Sequence, residues 1–167
     1  MILLICDHKK RELESLKKLK TSLKIKNIQA EIINKHCVIK AYNYYKPLII
    51  TFPHCNLYLA NTINKLGKNV KKILIPTEHC ALVEKFLEVQ YLGLVNDGKT
   101  MNAINKIDNI FAQSGYTKKF LVKRTKLKDN QIINSGHLFY NNWCLIKPKN
   151  KKIKKIGIAL TNEYILR

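Results

Sequence analysis

The chain has 167 residues, 46% of them hydrophobic, and a formal net charge of +20, which is ample for a self-sufficient globular core. Its cations are 28 Lys against only 3 Arg; Arg supplies most bidentate phosphate and guanine contacts, so specific nucleic-acid recognition is disfavoured. No apolar run approaches the roughly 18 residues of a membrane helix. The five cysteines form no CxxC pair, and the apolar start is too short for a secretory leader, so the expectation is a cytoplasmic protein without disulfides. Lys, Ile and Asn are also the residues that AT-rich codons favour, so the charge by itself assigns no partner beyond a peripheral contact with an anionic membrane.

In chain order, residues 2–6 form a continuous apolar run of the kind expected of a strand covered on both faces. A helix follows over 11–26, where Leu13, Leu16, Leu19 and Leu23 recur at helical spacing and lysines fill the other face. Residues 28–33 are a second strand, and 36–45 a short helix that stops before Pro47. A third strand over 48–52 leads to a helix over 57–66, with Gly67 as its expected C-cap. Then come a fourth strand over 70–75, a helix over 81–90 and an irregular loop over 93–100. A fifth strand over 108–112, a helix over 117–124 and a short sixth strand over 131–134 complete the series. Strands alternating with helices at this spacing predict a doubly wound, Rossmann-like α/β domain with a mostly parallel sheet of about six strands and helices on both faces.

Residues 147–155 are a lysine-rich tether, and 156–160 read as a fresh apolar strand. A lone strand buries neither face. The expected organisation is therefore a domain over 1–146, a linker over 147–155, and the start of a second domain over 156–167, with chemistry that needs both halves incomplete here.

In such sheets ligands sit beyond the carboxyl ends of the strands, where the strand order reverses. All five histidines, His8, His36, His54, His79 and His137, fall just after predicted strands or at the following helix starts, and Asp7 and Glu78 share that edge. With the common order 3-2-1-4-5, strands one and four would be neighbours, and Asp7-His8 would face Glu78-His79. A helix cap is the plainer role for Asp7, with Arg11 and Glu12 in a solvated first turn. The pairs 36–37, 54–55 and 79–80 are each His-Cys, but they come from separate loops, and strand three is expected to lie away from strand four. No metal site is expected. The first turn holds no glycine, so neither a dinucleotide nor a Walker phosphate loop is present. A carboxylate, an imidazole and several cations at a helix start suit a hydroxylated or anionic ligand, with Asp7 as candidate base.

Four segments resemble the amino-terminal domain of GT-B glycosyltransferase-like proteins of surface polysaccharide biosynthesis. Asp7-His-Lys-Lys-Arg-Glu12 is similar to that family's aspartate followed by an arginine and an acid. Pro76-Thr-Glu-His79 is similar to its strand-end Thr-Glu segment. Asp108-Asn-Ile-Phe-Ala-Gln-Ser-Gly115 looks like the strand and glycine turn before its last helix, and Asn134-Ser-Gly-His137 like its Thr-Gly-x-Pro segment. After that segment the family tends to place Pro, Arg, an aromatic and Asp; here stand Leu138, Phe139, Tyr140 and Asn141.

The resemblance implies an acceptor-side domain that binds no cofactor itself and is inactive alone, in a protein using a nucleotide-sugar donor held by the second domain. It implies Asp7 and His8 as catalytic residues. Together with Arg11, Glu78 and His79 these would line the acceptor side; Glu12, His54, Gly136 and His137 are the further candidate substrate-binding residues, and the acceptor would be a saccharide, lipid-linked at the inner membrane face. The alternatives are a non-catalytic binding module or degenerate remnant, and a small basic nucleic-acid binder.

Overall fold

The computed structural model describes residues 1–77, 87–88, 91 and 98–136. Six strands, β1 (Ile2–Cys6), β2 (Ala30–Asn34), β3 (Ile49–Phe52), β4 (Lys71–Leu74), β5 (Asn109–Ala112) and β6 (Ile132–Asn134), form one sheet in the order β2-β1-β3-β4-β5-β6. Every pairing is parallel. The helices are α1 (Lys9–Ile25), α2 (Val38–Tyr45), α3 (Leu57–Lys65), α4 (Gly98–Ile104) and α5 (Gly115–Arg124). The expected doubly wound α/β sheet is the fold found.

β1 shows why an unbroken apolar run forms a central strand. Its side chains alternate between faces, and Leu3, Leu4 and Ile5 are all buried. Leu4 and Cys6 pack with Leu16, Leu19 and Leu23 of α1 on one face. Leu3 and Ile5 face the larger core, where α2 contributes Val38 and Ala41, α3 Leu59 and Ile63, α4 Ala103 and Ile104, and α5 Phe120 and Leu121. One face thus carries α1 and the other the remaining helices, because the chain reverses direction across the sheet after β2.

That reversal corrects the expected strand order. β1 pairs with β2 on one side and β3 on the other, through Leu3 with Glu31 and Ile50. Strand four is therefore not the neighbour of strand one. β3 pairs directly with β4, through Ile49 with Lys71 and Phe52 with Leu74, against the expectation that they lie apart. Local pattern gives each βαβ unit its right hand but not the direction of the next step, which long-range packing selects.

Three smaller corrections follow. The stretch expected as an irregular loop over 93–100 includes the start of α4, at Gly98. α1 starts at Lys9, two residues early, and α5 at Gly115. Ser114 caps α5, its hydroxyl accepting from Thr117 N at 3.1 Å.

Gly67 is not a left-handed cap; α3 ends through an extended Leu66, and the one described glycine with positive φ is Gly136, at 75°. What Gly67 needs is space, since a Cβ there would lie 2.6 Å from Asn69 Oδ1 and 3.1 Å from Tyr42 Oη. The Tyr42 hydroxyl donates to the same Asn69 oxygen at 3.1 Å. Gly67→Ala is therefore expected to cost about 1 kcal/mol. Thermal denaturation should show most of that cost vanish when Asn69→Ala is added.

Candidate functional site

The strand order places the reversal between β1 and β3, so their carboxyl ends open the crevice where a ligand is expected. Asp7 follows β1 and His54 follows β3 by two residues. His54 Nε2 lies 2.5 Å from Asp7 Oδ2, and Lys35, the first residue after β2, forms an ion pair with Asp7 Oδ1. Three strand ends thus converge on one carboxylate whose side chain is 3% exposed.

Burial works to raise the pKa of Asp7, but the hydrogen bonds from Lys35 and His54, reinforced by charge, outweigh it and hold the carboxyl below its ordinary range. Asp7 is therefore an anion at neutral pH and a weak base. Asn56 N donates to His54 Nδ1 at 3.4 Å, which leaves Nε2 as the protonated nitrogen that donates to Asp7. His54 is buried within this arrangement and serves to fix the carboxylate.

His8 is placed differently. Its imidazole is exposed, and its Nε2 stands 3.9 Å from Asp7 Oδ2, within reach of the carboxylate's field but beyond hydrogen-bond length. An exposed imidazole backed by a buried carboxylate can take up a proton from a bound hydroxyl, whereas Asp7 lies too deep to touch one. After β2, His36 Nδ1 lies 3.2 Å from Tyr58 Oη of α3, and the two rings meet edge-on at 5.1 Å.

Glu12 has another task. Its side chain is fully buried, and Oε2 accepts from Asp7 N at 2.7 Å and His8 N at 3.1 Å. Oε1 accepts from Thr77 Oγ1 at 2.9 Å and from Arg11 Nη2 at 3.3 Å. Glu12 thus reaches back from the first turn of α1 to the two amides just ahead of it, and ties that turn to the segment after β4. Neither expectation for this turn holds as stated: Asp7 does not cap α1, and Glu12 is not solvated.

The crevice brings together Asp7, His8 and His54, with Arg11 and Glu12 in the adjoining helix turn. Gly136 follows β6, four strand spacings from β1, or about 19 Å along the sheet from Asp7. Glu78, His79 and His137 lie outside the described residues, as do the linker over 147–155 and the segment over 156–167. Of the helix expected over 81–90, the described residues are Leu87 and Glu88, both helical.

Lys35, against Asp7, was not singled out by the sequence, and Thr77, against Glu12, stood there only as part of the Thr-Glu segment. Lys35 had one signal, its place directly after a strand, lost among 28 lysines. Thr77 sits one residue from the Glu78 that drew attention.

Among the described residues no group of His, Cys, Asp and Glu could hold a metal ion. Burial, and behind it the charges of Glu12 and Asp7, pushes the Cys6 thiol up against the opposing effect of Lys9, so it stays protonated and unreactive. No described helix is long and apolar enough to cross a membrane. Compared with known proteins, the chain matches no family model and no curated protein.

Proposed function

We propose that this chain is the acceptor-side domain of a glycosyltransferase-like protein, with His8 as the base that meets the acceptor and Asp7 as the carboxylate behind it. The observation that carries the reading is the buried Asp7–His54 pair set at the sheet's reversal point beneath the exposed His8. The resemblance of the turn 7–12 to that family supplies the reaction class.

In this reading an acceptor saccharide lies in the crevice with one hydroxyl against His8. The ring nitrogen turned away from Asp7 takes the hydroxyl proton, and the oxygen attacks the anomeric carbon of a nucleotide sugar held outside this domain. The bond from that carbon to the phosphate breaks, and the nucleotide leaves with the electron pair. Asp7 faces the positive charge gained by His8, and His54 and Lys35 keep Asp7 in place. Arg11, partly exposed in the adjoining helix turn, would meet a hydroxyl or anionic group of the acceptor.

A second reading has a specific observation in its favour. Asp7 and Glu12 are both satisfied by internal partners, which suits a non-catalytic saccharide-binding module equally well. Titrating the 167-residue chain with acceptor oligosaccharides and nucleotide sugars tests both. The expected result is saccharide binding without turnover of donor. Donor turnover by these residues alone would contradict the two-domain division, and failure of every saccharide to bind would contradict the acceptor role. His8→Gln is expected to leave binding within a few fold and, with a donor domain present, to lower transfer at least about a hundredfold. The binding-module reading predicts no transfer to lose.

A further inference from the structure

The two edges of the sheet expose different chemistry. At the amino-terminal edge the strands start side by side: Ile2 N donates to Gln29 O, Leu48 N to Met1 O, Lys71 N to Leu48 O and Asp108 N to Lys72 O, all within 2.9–3.1 Å. The chain returns to this edge from α1 through residues 26–29 and from α2 through 46–48. Ile25, Tyr44 and Leu48 are 78, 79 and 69% exposed, the three highest values among the described large hydrophobic residues. All three lie in or beside those two turns: Ile25 ends the helix on one face of the sheet, Tyr44 lies near the end of the helix on the other, and Leu48 stands just before β3 between them.

The charges around them have one sign. Lys24, Lys26, Lys46, Lys68 and Lys71 are exposed here, and the sequence between Glu31 and Glu78 holds seven lysines and no acid. The described acids that approach this edge are already engaged. Glu31 pairs with Lys20 at 2.8 Å, Asp129 with Lys118 at 2.8 Å, and Asp108 accepts from Lys72 N at 2.7 Å. Both turns also pass through left-handed residues that are not glycine, Asn27 at φ 58° and Lys46 at φ 46°. Asparagine tolerates that conformation; lysine gains nothing from it, and glycine would be easier. A strained lysine at the tip of an exposed turn directs attention to what its side chain meets.

We propose that this edge docks on a bilayer surface carrying anionic lipids, with Ile25, Tyr44 and Leu48 entering the headgroup region and the surrounding lysines pairing with lipid phosphates. Charge names the occupant: a second copy of this chain would set lysine against lysine, whereas an anionic leaflet complements the patch. Docked this way, the Asp7 crevice opens at the far edge, about 15 Å from the lipid by strand length. The inference stands on the opposite edge from the catalytic reading and does not depend on it.

Flotation of the whole chain with phosphatidylcholine vesicles, with and without about 30% phosphatidylglycerol, tests it at about 0.1 M salt. The chain is expected to float with the anionic vesicles and not with the neutral ones. Replacing Ile25, Tyr44 and Leu48 by serine should lower the partition coefficient at least about tenfold while leaving Tm unchanged, because all three are solvent-exposed. Lys46→Gly should lower it about fivefold with Tm equal or higher, which separates lost binding from lost folding. Glutamine at Lys9, Lys10 and Lys119, away from this edge, should leave partition within about twofold, the small change expected of charges remote from the lipid. Absence of flotation overturns the proposal. So does an equal loss from that remote lysine set, which would mean that net charge alone drives adsorption.

Discussion

Glu12→Ala is expected to cost the fold about 3 to 4 kcal/mol, because it strips partners from several buried donors at once. The carboxylate is fully buried and accepts from two backbone amides, the Thr77 hydroxyl and the Arg11 guanidinium. Alanine leaves the Asp7 and His8 amides without an acceptor at the start of a helix, removes the link to the segment after β4, and opens a void. Glu12→Gln keeps one oxygen for the amides and lets the Thr77 hydroxyl turn to accept, so its cost should be about 1 to 2 kcal/mol. Urea denaturation at neutral pH reads both. A loss below about 1 kcal/mol for the alanine variant would contradict the role assigned to Glu12.

Asp7→Asn is the second large effect. The amide places a donor against either Lys35 or His54 Nε2, both of which now meet an anion. Removing one partner of a buried ion pair costs about 3 to 5 kcal/mol in full burial, and about 2 to 3 is expected here because Lys35 keeps some contact with solvent. Adding Lys35→Met should return part of that loss, with a coupling of about 1 to 2 kcal/mol in the double-mutant cycle. Strict additivity would show that the two charges do not act on each other.

The same substitution should change the acid limb of stability. Asp7 has a folded pKa below its unfolded value near 3.9. Its contribution is therefore complete above about pH 4 and is lost as pH falls through the lower folded value. Wild-type stability should drop across that acid range, and Asp7→Asn should drop less. Denaturant midpoints measured from pH 6 down to pH 2 decide the matter; parallel curves would mean that Asp7 is not held below its ordinary range.

How much of this was legible depended on the range of the interactions. All six strands appear in the sequence within one or two residues, because an apolar run such as Ile-Leu-Leu-Ile-Cys has few alternatives once both faces are covered. The α1 stripe is equally plain, since Leu16, Leu19 and Leu23 repeat at helical spacing and pack as expected. α4 left no such signal: Gly-Lys-Thr-Met-Asn-Ala-Ile begins with a helix breaker and has little apolar periodicity.

The site was legible residue by residue but not as a pair. Asp7 and His54 both stood out as polar groups after strands, yet they belong together only because β3 lies beside β1. No local pattern decides between that order and one with β4 there. Glu12 misled for a related reason. A charged residue in a lysine-rich first turn belongs on the surface by composition, and its burial follows from a partner 65 positions away, Thr77.

The most direct test of the central claim is a histidine-side-chain NMR titration of the chain with acceptor oligosaccharides, following the imidazole nitrogens of His8, His36 and His54. Free protein should show His54 as the Nε2–H tautomer. Saccharide should shift His8 most and His54 next, and Asp7→Asn should abolish or redirect those shifts. Saccharide binding that leaves His8 and His54 unmoved would place the site elsewhere and contradict the account.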